Sequence, residues 1–288
     1  PDLSESSLKA KAEPVSNREV LNSTGKERKA WVDSIKDEMG NFERLSALNE
    51  ASNETLAWCR KNRVKEIPAM MVFTKKPLTA TQQEEAKANK KVYADWDYKP
   101  KSRIVCCGNF QDYVFHDTNT SNIDANLLRL VLSLGAGENQ CISSVDISTA
   151  FLNAPLDPKH IILVKPPQMM VKMGLIDPNV RWVINKAMYG LKESPRLWEE
   201  SRDEKLNKMK WVWGEGGQKK EMRLVQSKVH PSLWLIVGDG SSSTPGVEEP
   251  DPSLLIRDGE WAKTHEWTKH LKIFGYVIVY VDDLLISG

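Results

Sequence analysis

The chain has 288 residues, 40% of them hydrophobic and 27% charged, and a formal net charge of +1. That length buries a sizeable core in one large domain or two small lobes, and the composition is that of an ordinary soluble globular protein. No apolar run approaches a bilayer span and nothing at the N-terminus resembles a signal peptide; four cysteines without CxxC spacing and five histidines form no disulfide or zinc pattern, so the thiols read as reduced and cytosolic. A start at Pro1 and an end at Gly288 give the expectation of a segment from a longer polypeptide.

Residues 1–23 are polar and lack periodicity, which predicts a disordered linker. Thr24 with Glu27 fits a capping box, and Trp31, Ile35, Met39, Phe42 and Leu45 recur at helical spacing, so a helix follows whose apolar stripe is packing. Residues 69–74 read as a strand, 78–95 as a polar hairpin loop with some helical character, and 101–106 as a second strand ending at Gly108. Alternation puts Lys101 and Arg103 on one face of that strand. Two cations there suit a triphosphate; an exposed sheet face shows the same pattern. They close a basic stretch: residues 57–103 carry twelve Lys/Arg against five acids, +7 locally and −6 for the remainder. Such a run is most often a solvated face, and it gains weight as a nucleic-acid or triphosphate surface only from a carboxylate set elsewhere.

Leu127, Leu128, Val131 and Leu134 mark a helix over about 124–136, closed by Gly135 or Gly137. A strand over 141–147 carries Asp146 and leads into a bend over 148–157. Residues 161–164 and 181–184 read as further strands, separated by a Pro-rich loop. A glycine turn over 189–195 precedes a helix over about 195–211, with Pro195 in its first turn and Trp198, Leu206 and Met209 on one face. Residues 214–222 and 238–260 read as loops or insertions around a strand at 233–237. Strands and helices mix without βαβ regularity, so the fold class is α+β, not a doubly wound sheet.

The final stretch, residues 276–288, sets Asp282 and Asp283 between two runs rich in β-branched and aromatic residues, a buried hairpin with acids at its turn. Aspartate is a good turn former in its own right. A further carboxylate, Asp146, ends another β-like run, and carboxylates at the ends of neighbouring strands can converge on hard divalent cations. Mg²⁺ prefers oxygen ligands and keeps waters and substrate phosphates, so it needs few protein ligands. The pattern points to two-metal phosphoryl transfer.

Four segments in order, Lys101-Ser102-Arg103-Ile104-Val105, Val145-Asp146-Ile147-Ser148-Thr149-Ala150-Phe151-Leu152-Asn153, Asn185-Lys186-Ala187-Met188-Tyr189-Gly190-Leu191-Lys192-Glu193-Ser194-Pro195-Arg196-Leu197-Trp198 and Tyr280-Val281-Asp282-Asp283, resemble the reverse transcriptase domain of copia-type LTR retrotransposon polyproteins, from about residue 27 to the end. The resemblance implies an RNA-directed DNA polymerase with right-hand fingers and palm, a mainly antiparallel palm sheet and the thumb missing. Residues 1–23 would be a disordered linker, 24–140 the N-terminal helix and fingers, and 141–288 the palm, with the catalytic hairpin at its end and an inserted loop at about 238–260. That insertion reads either as a tolerated surface loop or as the mark of a decaying element copy.

The same resemblance implies that Asp146, Asp282 and Asp283 are catalytic and hold two Mg²⁺ ions, with Mn²⁺ as a substitute. Lys101, Arg103, Phe151, Tyr189 and Gly190 would bind the dNTP, and Lys192 and Arg196 the template–primer. Phe151, five residues after Asp146, stands where the family places an aromatic sugar gate against a ribose 2′-hydroxyl; a plain core aromatic is the other reading. Lys192 and Arg196 read equally as solvent-facing charges at a helix start. Implied partners are an RNA or DNA template with primer, dNTPs and the polyprotein's thumb, RNase H and integrase, without a membrane, in a cytoplasmic virus-like particle. A catalytically silent remnant that keeps the fold and nucleic-acid binding is the alternative. Another palm-type nucleotidyltransferase is a third reading, against which segments 101–105 and 185–198 argue.

Overall fold

The structure, a computed structural model, describes residues 11–112, 120–121, 123–214, 219–239 and 271–288. In chain order the elements are β1 (Glu13–Val15), α1 (Asn17–Asn22), α2 (Gly25–Arg44), β2 (Leu48–Glu50), α3 (Asn53–Lys61), β3 (Glu66–Pro77), α4 (Ala80–Ala88), β4 (Tyr98–Cys106), α5 (Ala125–Gly137) and β5 (Ile142–Asp146). They continue with β6 (Leu163–Lys165), α6 (Gln168–Lys172), β7 (Trp182–Ile184), α7 (Ser194–Lys208), β8 (Lys210–Trp213), β9 (Lys220–Gln226), β10 (Leu233–Asp239), β11 (Leu271–Tyr280) and β12 (Asp283–Ser287). The fold is α+β. Two compact units interleave in sequence: Pro1–His116 with Phe151–Ser194, and Asp117–Ala150 with Pro195–Gly288. The expected division was a linker over 1–23, a helix and fingers region over 24–140 and a palm over 141–288.

The first unit is built on β3. Its C-terminal part pairs antiparallel with β1 and β4, and its first residues pair parallel with β6, which continues through β7 to β2. Alternation along β3 and β4 buries Ile67, Ala69, Met71, Phe73, Ser102, Ile104 and Cys106 on one face. The apolar stripe of α2 is packing, as expected: Trp31, Ile35 and Phe42 are buried, and Trp31 meets Phe73 edge to face at 5.4 Å. Side chains of α2 also cover the second edge of β4. Ser34 Oγ accepts from the Ser102 N–H at 2.8 Å and Glu38 Oε1 from the Ile104 N–H at 3.4 Å, which satisfies backbone donors that the sheet leaves open.

Several local expectations are corrected. Residues 13–22 of the expected disordered linker form β1 and α1, held by a Ser16–Glu19 capping box and the buried Val20. Thr24 is the N-cap of α2 but makes no side-chain cap hydrogen bond. Within 78–95 a defined helix, α4, carries the Thr79–Gln82 capping box. β9 begins inside the expected 214–222 loop. Residues 240–260, nearly all of the expected insertion, lie outside the described residues.

In the second unit one antiparallel sheet runs β5-β12-β11-β10-β9-β8. Its two faces are apolar in alternation. One buries Leu224, Trp234, Val277 and Val279 with Leu206 of α7; the other buries Leu233 and Ile278 with Val131 of α5. Helix α5 lies close against β12 at Gly135, where a Cβ would lie 2.3 Å from Ser287 Oγ. A side chain there would push the helix off the strand that begins with Asp283.

Candidate active site

The hairpin of β11 and β12 turns through Val281 and Asp282, with Tyr280 and Asp283 as its closing pair. β12 is paired on its other side by β5, in a register that sets Asp283 directly opposite Asp146. Opposed residues share a face, so these two carboxylates are immediate neighbours although far apart in sequence. Alternation puts them on the side of Leu285 and α5, where Asp283 borders a cleft of about 480 Å³ that also includes Ser144, Tyr280 and Leu128. Both acids are exposed, and among the described residues neither is ion-paired with a Lys, Arg or His. Like charges directly opposed on a sheet destabilise it unless a cation intervenes.

Asp282 is half-buried at the turn, one residue above the pair. The Ile147 N–H donates to its carbonyl at 2.8 Å, and the Trp198 indole N–H of α7 donates to the Val281 carbonyl at 2.7 Å. Among the described residues no three His, Cys, Asp or Glu side chains form a metal-holding group. The expected trio is thus a facing pair with the third carboxylate on the adjoining turn. This donor set fits Mg²⁺, which is commonly bound through one or two carboxylates and completes its shell with water and substrate phosphate.

All five residues of the expected dNTP set lie in the first unit. Arg103 lies over the Tyr189 ring at 5.3 Å, and Tyr189 meets Phe151 edge to face at 4.9 Å. Lys101 and Arg103 do share the outward face of β4. Gly190, with φ +88°, lets the turn lie against β4: a Cβ there would be 2.0 Å from the Cys106 carbonyl oxygen, and the Cys106 N–H donates to the Tyr189 carbonyl at 2.8 Å. Behind the strand, Glu38 is buried, and burial raises its carboxyl above the usual carboxylate range, an effect that Lys101, the Ile104 N–H, Asn41 and Arg103 partly offset.

Lys192 is engaged within the unit. Its N–H donates to Gln111 Oε1 at 3.0 Å, its ammonium donates to the Gln111 carbonyl at 2.9 Å, and Gln111 Nε2 donates to the buried Glu193 at 2.9 Å. Arg196, in the first turn of α7, pairs with Glu200, and its Nε is buried without a partner among the described residues. Sequence reasoning missed Gln111, Glu38 and the indole bond of Trp198. Trp198 was legible as a helix-face residue and as the end of the 185–198 segment, and no sequence signal pointed to the other two.

Two carboxylates thus face each other on neighbouring antiparallel strands of the second unit, and a cationic and aromatic cluster lies in the first. The family model described as reverse transcriptase (RNA-dependent DNA polymerase) matches residues 61–215, more than half of the chain, and the chain belongs to that family. It is similar to the truncated transposon Ty1-A Gag-Pol polyprotein of Saccharomyces cerevisiae, 33% identical over 103 residues, 35% of this chain and 8% of that polyprotein. It is also similar to the retrovirus-related Pol polyprotein from transposon RE1 of Arabidopsis thaliana, 32% identical over 105 residues, 34% of this chain and 6% of that polyprotein. The copia-type resemblance therefore holds, over a small fraction of its relatives' length. Asp282 and Asp283 lie beyond the family match, and the β5–β12 register sets Asp283 opposite Asp146 inside it.

Proposed function

We propose that the chain acts as an RNA-directed DNA polymerase domain, adding dNTPs to a primer 3′-hydroxyl, with the first unit as fingers and the second as palm. The register of Asp146 against Asp283 carries this reading, because it unites the family-matched strand with the aspartate hairpin. Asp146, Asp282 and Asp283 would hold two Mg²⁺ ions, or Mn²⁺ in their place. When bound, such ions supply Lewis-acid polarisation of the 3′-hydroxyl and neutralise charge on the triphosphate. The chain's own cations do the rest: Lys101 and Arg103 face the triphosphate tail with fixed positive charge. Phe151, braced by Tyr189, excludes a ribose 2′-hydroxyl. Gly190 keeps the Tyr189 turn against β4. Lys192 and Arg196 are the template–primer candidates, and Lys192 would have to release Gln111 to serve. Template, primer, dNTPs, the remaining polyprotein domains and a cytoplasmic particle complete the reading.

The test is primer extension on poly(rA)/oligo(dT) with dTTP and Mg²⁺. Incorporation that Asp282→Asn abolishes is the expected result; equal incorporation by the variant removes Asp282 from the chemistry. The position of Asp282 outside the facing pair favours a second reading, a catalytically silent remnant that retains the fold and binds nucleic acid. Template–primer binding without extension by the parent chain would select it.

A further inference from the structure

We infer that Trp198 is a positioning residue for the aspartate turn, its indole N–H fixing the direction in which Asp282 presents its carboxylate. This rests on the polymerase reading for its purpose and on the turn's own geometry for its substance. A side chain's direction is set by the two peptide planes that flank its Cα. For Asp282 those planes carry the carbonyls of Val281 and Asp282, and each is held by a hydrogen bond from a different element: Trp198 Nε1 at 2.7 Å from α7 and the Ile147 N–H at 2.8 Å from the residue after β5. Together the two bonds restrain the backbone on both sides of the Asp282 Cα.

The turn needs such holding. Val281 has φ 55°, a left-handed conformation that a β-branched residue rarely adopts and that persists only where the surroundings impose it. Val281 is 38% exposed, whereas Trp198 is 2% exposed, so the donor is held by its packing while the acceptor stands at the surface. Burial of an indole does not by itself produce the bond, since the buried Trp31 and Trp234 have no partner for Nε1 among the described residues. Trp198 sits on α7, whose Leu206 is fixed in the core under Trp234 and Val277, so the donor is carried on a rigid element.

The experiment uses the whole 288-residue chain with Trp198→Phe and, because that change also removes volume, with Trp198 replaced by β-(3-benzothienyl)alanine, in which sulfur takes the place of the N–H. Backbone amide exchange at Asp282 and Asp283 and Mn²⁺ affinity, from electron paramagnetic resonance of free Mn²⁺, are compared with the parent. Loss of one such bond should speed exchange and weaken Mn²⁺ binding by about fivefold in both variants, with the benzothienyl variant separating the lost N–H from the lost volume. Exchange and Mn²⁺ affinity both within about twofold of the parent, less than the loss of one such bond should produce, would overturn the proposal. If the parent binds no Mn²⁺, or Asp282→Asn binds it as well as the parent, the metal reading fails separately. Amide exchange alone then decides for or against the tether.

Discussion

Replacing Gly190 by alanine tests how tightly the Tyr189 turn is fitted to β4. The residue stands at φ +88°, and a Cβ would lie 2.0 Å from the Cys106 carbonyl oxygen, 2.7 Å from Val105 Cγ1 and 3.1 Å from the Cys106 carbonyl carbon. The left-handed backbone costs an L residue about 1–2 kcal/mol. Relief of the clash requires the turn to leave the strand, which breaks the 2.8 Å bond from Cys106 N–H to Tyr189 and strands a donor on a buried residue, about 1–3 kcal/mol more. Gly174 provides the control within the same unit: its φ is +70° and nothing lies within 4 Å of its would-be Cβ. In urea denaturation Gly174→Ala should lose about 1 kcal/mol and Gly190→Ala about 2 kcal/mol beyond that. Equal losses in the two variants would refute the close approach and, with it, the account of how Tyr189 is held beneath Arg103 and against Phe151.

Two further outcomes follow from the same unit. The raised carboxyl of Glu38 means that the folded chain holds its proton to higher pH than the unfolded chain does, so stability should fall as pH rises from the ordinary carboxylate range through the raised value. Glu38→Gln keeps an acceptor for Ile104 and should abolish that part of the decline in a pH series of denaturation midpoints; an unchanged slope would mean that the carboxyl is not the group titrating. Phe151→Ala removes a ring contact with Tyr189 worth about 0.5–1.5 kcal/mol and should admit rNTPs in primer extension. Undiminished preference for dNTPs would leave Phe151 a packing residue.

What could be read from the sequence was local. The aspartate hairpin was legible because a β-branched and aromatic run precedes Asp282 and Asp283 and the apolar Leu284, Leu285 and Ile286 follow them, and alternation alone put Lys101 and Arg103 on one face. The start of helix α7 at Ser194 and Pro195 was equally plain. The helix ends at Lys208, short of the expected 211, because Lys210–Trp213 pair as β8, and Met209 is exposed instead of sharing the buried face. The register of β5 against β12 was not, since nothing in either strand names its partner. The clamp of Gln111 on Lys192 and Glu193 and the cover of Glu38 over β4 depend likewise on tertiary neighbours. Some local signals misled. Ser16 with Glu19 is the capping box that forms, while Thr24 with Glu27 has the same spelling and makes no cap bond. Helix α3 escaped notice because only Cys59 is buried along it.

Asp146 and Asp283 face each other across β5 and β12 as a pair of carboxylates, and a bound divalent cation would relieve their repulsion. The direct measurement is thermal unfolding of the chain across a Mg²⁺ titration, for the parent, Asp146→Asn and Asp283→Asn. A ligand that binds only the folded chain raises its midpoint with concentration. The parent should gain a saturable rise that each variant largely loses, with both variants starting above the parent in metal-free buffer. A parent that responds to Mg²⁺ no more than either variant would contradict the account.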